Sequence, residues 1–128
     1  MDQSRPTGQQ FSKADRILVR RDFLRIQGGG RKIVTRNLIA LFAVAPATRR
    51  RLGLVVSTKV GNAVERNRVK RWLREIFRKE RERLPERVDL VLIAKKGSPT
   101  AGHEALLSEF AELSRKAAGL KLGAKGQR

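Results

Sequence analysis

The chain has 128 residues, no cysteine and a formal net charge of +18, from 30 Lys and Arg against 12 Asp and Glu. That length holds one compact domain with a real apolar core, and that charge selects polyanionic partners, either nucleic acid or an anionic membrane surface. Lack of Cys excludes disulfides and thiolate metal sites and fits a reducing cytoplasm. No apolar run approaches the ~20 residues of a spanning helix, and residues 1–10 carry no apolar signal core. Membrane is therefore the weaker of the two partner classes.

Residues 1–11 read as a disordered tail, polar and broken by Pro6 and Gly8. A helix is predicted within 12–27, with Phe23 and Ile26 on one side, ended by Gly28-Gly29-Gly30. Residues 38–44 form an apolar strand, Pro46 and Arg49-Arg50-Arg51 mark a loop or turn, and residues 52–57 form a second strand. Val60-Gly61-Asn62 turns into a long helix over 62–84, with Asn62 as N-cap, Glu65 at capping-box spacing and Pro85 as its stop. A third strand follows at 88–94, then a loop at 97–99. An amphipathic helix over 103–117 places Leu106, Leu107, Phe110 and Leu113 on its apolar face, and residues 119–128 read as a flexible basic tail. The expected organisation is one domain over 12–118, of α+β class. It is a two-layer α/β sandwich in which grouped strands carry helices on one face, with a long basic central helix.

That central helix carries the functional signal. At about 100° per residue, Val69, Trp72, Leu73, Ile76, Phe77 and Leu84 gather on one side as a core face. Asn67, Lys70, Arg71, Arg74, Arg78 and Arg81 fall within an opposite arc of roughly 100° that contains no acid. Lys70–Arg74 and Arg74–Arg78 are like-charge pairs at i,i+4, which cost a helix a few tenths of a kcal/mol each, about what opposite pairs would gain. A solvated face has no reason to accept that cost, whereas a polyanion that neutralises the face does. Arginine outnumbers lysine, and its planar fork suits bidentate phosphate contact.

The motifs Arg51-Leu52-Gly53-Leu54-Val55-Val56-Ser57, Lys59-Val60-Gly61-Asn62-Ala63-Val64, Arg66-Asn67-Arg68-Val69-Lys70-Arg71, Arg74-Glu75 and Phe77-Arg78 together resemble the bacterial ribonuclease P protein family. Arg16, Asp22-Phe23 and Ile93-Ala94-Lys95-Lys96-Gly97 also resemble family positions, so that the match covers about residues 16–115. The resemblance implies one four-stranded sheet with packed helices and a left-handed crossover through the long helix. It implies the protein subunit of a ribonucleoprotein endoribonuclease, in which a catalytic RNA using Mg²⁺ removes the 5′ leader of precursor tRNA. Its partners are then that RNA and precursor tRNA, with no membrane and no protein partner required, in the cytoplasm. Carried over by position, Lys59, Asn62, Arg66, Asn67, Arg68, Lys70, Arg71, Arg74 and Arg78 bind RNA. A cleft between the sheet and the first helix holds the single-stranded leader, with Phe23 and Phe42 as its candidate aromatics; each of the two either lines that cleft or fills the core. Thr58 and Gln27 depart from the family, standing where a second Lys and a second aromatic are common.

Nothing in the residues supplies a protein active site or a protein-held cofactor. The single histidine, His103, stands at a helix start and reads as a cap or surface group. The acids Asp15, Asp22, Glu65, Glu75 and Asp89 are scattered, where a metal nuclease clusters them. Gly28–Gly30 lacks the following Lys-Ser/Thr of a phosphate loop. Two rivals share the charge: a ribosomal-type RNA binder and a DNA-binding protein that inserts the 62–84 helix in the major groove. A groove reader mixes Asn, Gln and Ser with Arg for base edges, whereas this stripe is nearly all cations and suits backbone contact. Neither rival accounts for the composite motif.

Overall fold

The computed structural model describes residues 20–45 and 50–119. The expected tail at 1–11, the start of the first helical segment, Pro46 and Arg49, and all of the C-terminal tail except Gly119 lie outside the described residues. Helix α1 spans Arg20–Gly29, followed by strands β1 (Arg31–Val34), β2 (Leu38–Val44) and β3 (Arg50–Val55). Helix α2 spans Ala63–Glu80 and runs into a 3₁₀ turn at Arg81–Arg83; strand β4 (Val88–Ala94) and helix α3 (Ser98–Ala118) complete the chain. Among the described residues no helix is long and apolar enough to cross a membrane.

The four strands form one sheet in the order β1-β2-β4-β3, antiparallel except for the β3–β4 pair, which is parallel and connected through α2. Successive strand residues point to opposite faces, and the packing follows that rule. Leu38, Ala40 and Phe42 of β2 join Leu90 and Leu92 of β4 and Leu52 of β3 in the main core. That core is closed by Val69, Leu73, Ile76 and Phe77 of α2 and Leu106, Phe110 and Leu113 of α3. The alternate residues Leu41 and Val91 meet Ile26 of α1 in a second, smaller cluster on the other face. The α+β class and the four-stranded sheet agree with expectation. The helices divide between the faces, however: α2 and α3 form the full layer, and α1 covers part of the opposite side.

This division corrects the placement of Phe42 in the leader cleft. Phe42 is 0% exposed and belongs to the α2/α3 core, so it cannot line a cleft under α1. Its register partners Leu90 and, through β4, Leu52 share that face. Strand β3 begins at Arg50, two residues before the expected start at Leu52. Arg50 and Arg51 continue the ladder opposite Val88 and Asp89 and are not loop residues. The residue pattern carried no signal for β1, which is four residues long and polar at Arg31 and Lys32. Gly30 admits it: a Cβ there would lie 2.6 Å from the Ile26 carbonyl oxygen and 2.8 Å from that of Phe42, so only glycine lets the end of α1 pass this close to β2.

Helix α2 begins as its sequence predicts. Asn62 Oδ1 accepts the Glu65 N–H at 2.8 Å, and Glu65 Oε1 accepts the Asn62 N–H at 3.0 Å, a complete capping box. Helix α3 starts earlier than expected, at Ser98, but is interrupted at Gly102, whose φ of 89° only glycine adopts cheaply. The expected start at His103 is therefore the first residue after a kink.

Glu109 of α3 holds the β1–β2 turn. It is buried, and its carboxylate accepts the Thr35 hydroxyl at 2.5 Å, the Asn37 N–H at 2.8 Å and the Asn37 side-chain amide at 2.6 Å. Glu109→Ala leaves three buried donors without their acceptor. The expected result is a loss of about 3 kcal/mol of stability, read as a lower urea midpoint at unchanged m-value.

Candidate RNA interface

The capping box fixes where α2 starts, and Val69, Leu73, Ile76 and Phe77 fix which side it buries. The cationic arc is thereby turned outward. Asn67, Arg68, Arg71 and Arg74 are exposed, and Lys70 and Arg78 are half-buried beside them. Lys59 is exposed in the turn just before the helix. Arg66 is half-buried and its Nε donates to the Gly61 carbonyl at 3.1 Å, which ties it to the entry of the helix. Asn62 is exposed, with its Oδ1 taken by the cap. The nine expected RNA-binding positions thus lie along one helix and the turn that leads into it.

Acids flank this stripe without entering it. Glu75 lies 3.2 Å from Lys79 and 3.5 Å from Arg78. Its hydrogen bond and charge attraction to Lys79 hold its carboxyl below the usual range, so it stays ionised at neutral pH. Trp72, expected in the core, is half-buried and packs against it. His103 is half-buried and meets the Trp72 ring edge-on, with centroids 6.4 Å apart, beside a cavity of about 330 Å³ between α2 and α3. Among the described residues no group of three or more His, Asp or Glu is placed to hold a metal ion.

The opposite face of the sheet has different chemistry. Ile26, Leu41 and Val91 are buried there, with Phe23, Ala43, Val55 and Ile93 partly buried around them. Val34, on the same face by its register with Ile39 and Ile93, is 47% exposed. The result is a half-open apolar floor with α1 as one wall and Phe23 at the junction. Phe23 lies on this face of the sheet, and Phe42 lies on the other.

One polar cluster on this face was not foreseen as a unit. Asp89 of β4 is fully buried, and it accepts Arg51 Nε and Nη2 at 2.8 Å each and Arg25 Nη2 at 2.6 Å. Asp22 lies 3.3 Å from Arg51 and 3.6 Å from Arg25. The hydrogen bond to Asp89 leads the forces that raise the Arg51 guanidinium pKa, against the opposing effect of burial. The available signal was an acid inside the apolar run 88–94, because a carboxylate in a strand core requires a cation.

The family model for ribonuclease P matches residues 11–118. The chain belongs to the ribonuclease P protein family. It is 38% identical over 106 residues to the ribonuclease P protein component of Desulforapulum autotrophicum, covering 83% of this chain and 91% of that one. Among solved structures, the RNase P protein of Thermotoga maritima superposes with a TM-score of 0.72 at 32% identity, covering 79% of this chain and 96% of that one. A mutant RNase P protein of Staphylococcus aureus gives a TM-score of 0.77 at 29% identity, covering 83% and 90%. Ribonuclease P is an endoribonuclease ribonucleoprotein of tRNA 5′ processing, and this family is its protein component. Membership therefore implies a catalytic RNA partner.

Proposed function

We propose that the α2 stripe docks on the catalytic RNA of ribonuclease P while the apolar floor under α1 receives the single-stranded 5′ leader of precursor tRNA. The observation that carries this reading is the separation of two unlike surfaces by the sheet. A cationic helix face suits a folded, phosphate-rich RNA surface. A half-open apolar face with an aromatic suits unpaired bases, which can stack on it without sequence preference. In this reading Lys59, Arg66, Asn67, Arg68, Lys70, Arg71, Arg74 and Arg78 meet the catalytic RNA, with Asn62 shaping the helix entry. Phe23 meets the leader. Hydrolysis belongs to Mg²⁺ held by the RNA, and the protein contributes positioning and cationic screening. The holoenzyme then works in the bacterial cytoplasm, where precursor tRNA is made.

The test is a cleavage assay on a precursor tRNA carrying a 5′ leader. Protein alone is expected to be inert, and protein plus the cognate catalytic RNA to cleave at lower Mg²⁺ than that RNA alone. Robust cleavage by RNA-free protein would overturn the division of roles.

A further inference from the structure

Helix α1 is poorly anchored by apolar contact. Ile26 is its one fully buried apolar side chain among the described residues, while Leu24 is 54% exposed. Ile26 and the half-buried Phe23 supply the apolar contact with the sheet, and apolar burial is non-directional, so it does not by itself fix the roll of the helix. The directional contacts are all polar. Arg25 donates to Asp89 at 2.6 Å and to the Val44 carbonyl at 3.3 Å, and Asp22 meets Arg51 at 3.3 Å. They join α1 to β2, β3 and β4.

The helical positions give this cluster a consequence. At about 100° per residue, Arg25 and Asp22 lie on one flank of Ile26 and Phe23 lies on the other, roughly 60° away. Rolling α1 about Ile26 would therefore carry Phe23 toward or away from the sheet as the ion pairs break. We infer that the Asp89–Arg51–Arg25–Asp22 cluster is a roll lock on α1, which aims Phe23 at the sheet and so sets the preference for leader-bearing substrate. This rests on the leader-cleft reading above. The four residues are positioning residues. Asp89 is sealed from solvent, and both arginines are committed to acids, so the cluster acts through α1 and not as a phosphate site.

The lock makes a prediction separable from loss of fold. Arg25 is the accessible end of the cluster, with a side chain 40% exposed, and Arg25→Met keeps the apolar stem while removing the donors. Holoenzyme affinity is measured for a precursor with a leader of several nucleotides and for the same tRNA without a leader, alongside thermal unfolding. Arg25→Met is expected to reduce the ratio of the two affinities by on the order of tenfold, comparable to losing one base stack. Affinity for leaderless tRNA and for the catalytic RNA should stay unchanged, because α2 lies across the sheet. Arg25→Lys, which retains one charged donor, should restore part of the ratio. Phe23→Ala, measured in parallel, separates the lock from the cleft. If Phe23→Ala lowers the ratio and Arg25→Met does not, the lock is wrong and the cleft stands. If neither lowers it, the cleft reading fails and the lock with it. Equal losses for both substrates in Arg25→Met would reduce the cluster to a stability element and overturn the proposal.

Discussion

Phe42→Ala should destabilise the protein by ~3–5 kcal/mol and depress every activity together, whereas Phe23→Ala should remove only the advantage of a leader. The two phenylalanines were candidates for the same cleft, and the sheet separates them. Phe42 is 0% exposed, with α2 and α3 on its side of the sheet, so truncation leaves a cavity in the main core. At this domain size the melting temperature should fall by at least about 10 °C. Phe23 sits half-buried at the edge of a three-residue cluster, where truncation costs less packing. A base stacked on it would contribute ~1–3 kcal/mol. Affinity for leader-bearing precursor should therefore drop by about ten- to a hundredfold, with little change for mature tRNA. The measurement is thermal unfolding of both variants with paired binding of leader-bearing and leaderless substrate. A Phe23→Ala protein that melts as early as Phe42→Ala, and loses both substrates equally, would show that Phe23 is core.

Neutralising the stripe should act on the other partner. In the double variant Arg68→Ala, Arg71→Ala, both side chains are exposed and alanine is the best helix former, so circular dichroism should be unchanged. Affinity for the catalytic RNA should fall, and so should its salt dependence. Each phosphate contact releases condensed counterions and adds about 0.7–0.9 to the slope of log affinity against log salt. Loss of two contacts should flatten that slope by about 1.4–1.8. Because α2 and the apolar floor lie on opposite sides of the sheet, the ratio of leader-bearing to leaderless affinity should survive in whatever holoenzyme still assembles. An unchanged affinity and slope would make the stripe an ordinary solvated helix face.

Much of this protein is written locally. Asn62 and Glu65 cap α2 through contacts three residues apart, so its start needs no tertiary information. The core and cation faces of α2 follow from helical spacing alone, and burial of Val69, Leu73, Ile76 and Phe77 agrees with it. Strands β2 and β4 were legible as apolar runs because both of their faces are covered in part, and they appear at the expected bounds. The composite Arg-Asn-Arg pattern lies on that same helix, which is why the docking candidates were readable as a set.

Tertiary structure decided the rest, for reasons that lie in long-range contacts. Leu38-Ile39-Ala40-Leu41-Phe42 is apolar at every position, so it carries no alternation to say which face meets which helix; only the placement of α1 on one face and of α2 and α3 on the other assigned Phe42. Strand β1 is too short and polar to announce itself, and it exists because β2 offers it a ladder. Arg50 and Arg51 look like loop residues until Asp89, 38 positions after Arg51, supplies the buried carboxylate that lets Arg51 lie in a strand. Asp22, Arg25, Arg51 and Asp89 are scattered charges in one dimension. They become a single cluster only when the parallel β3–β4 pairing puts Arg51 beside Asp89 and α1 closes over them.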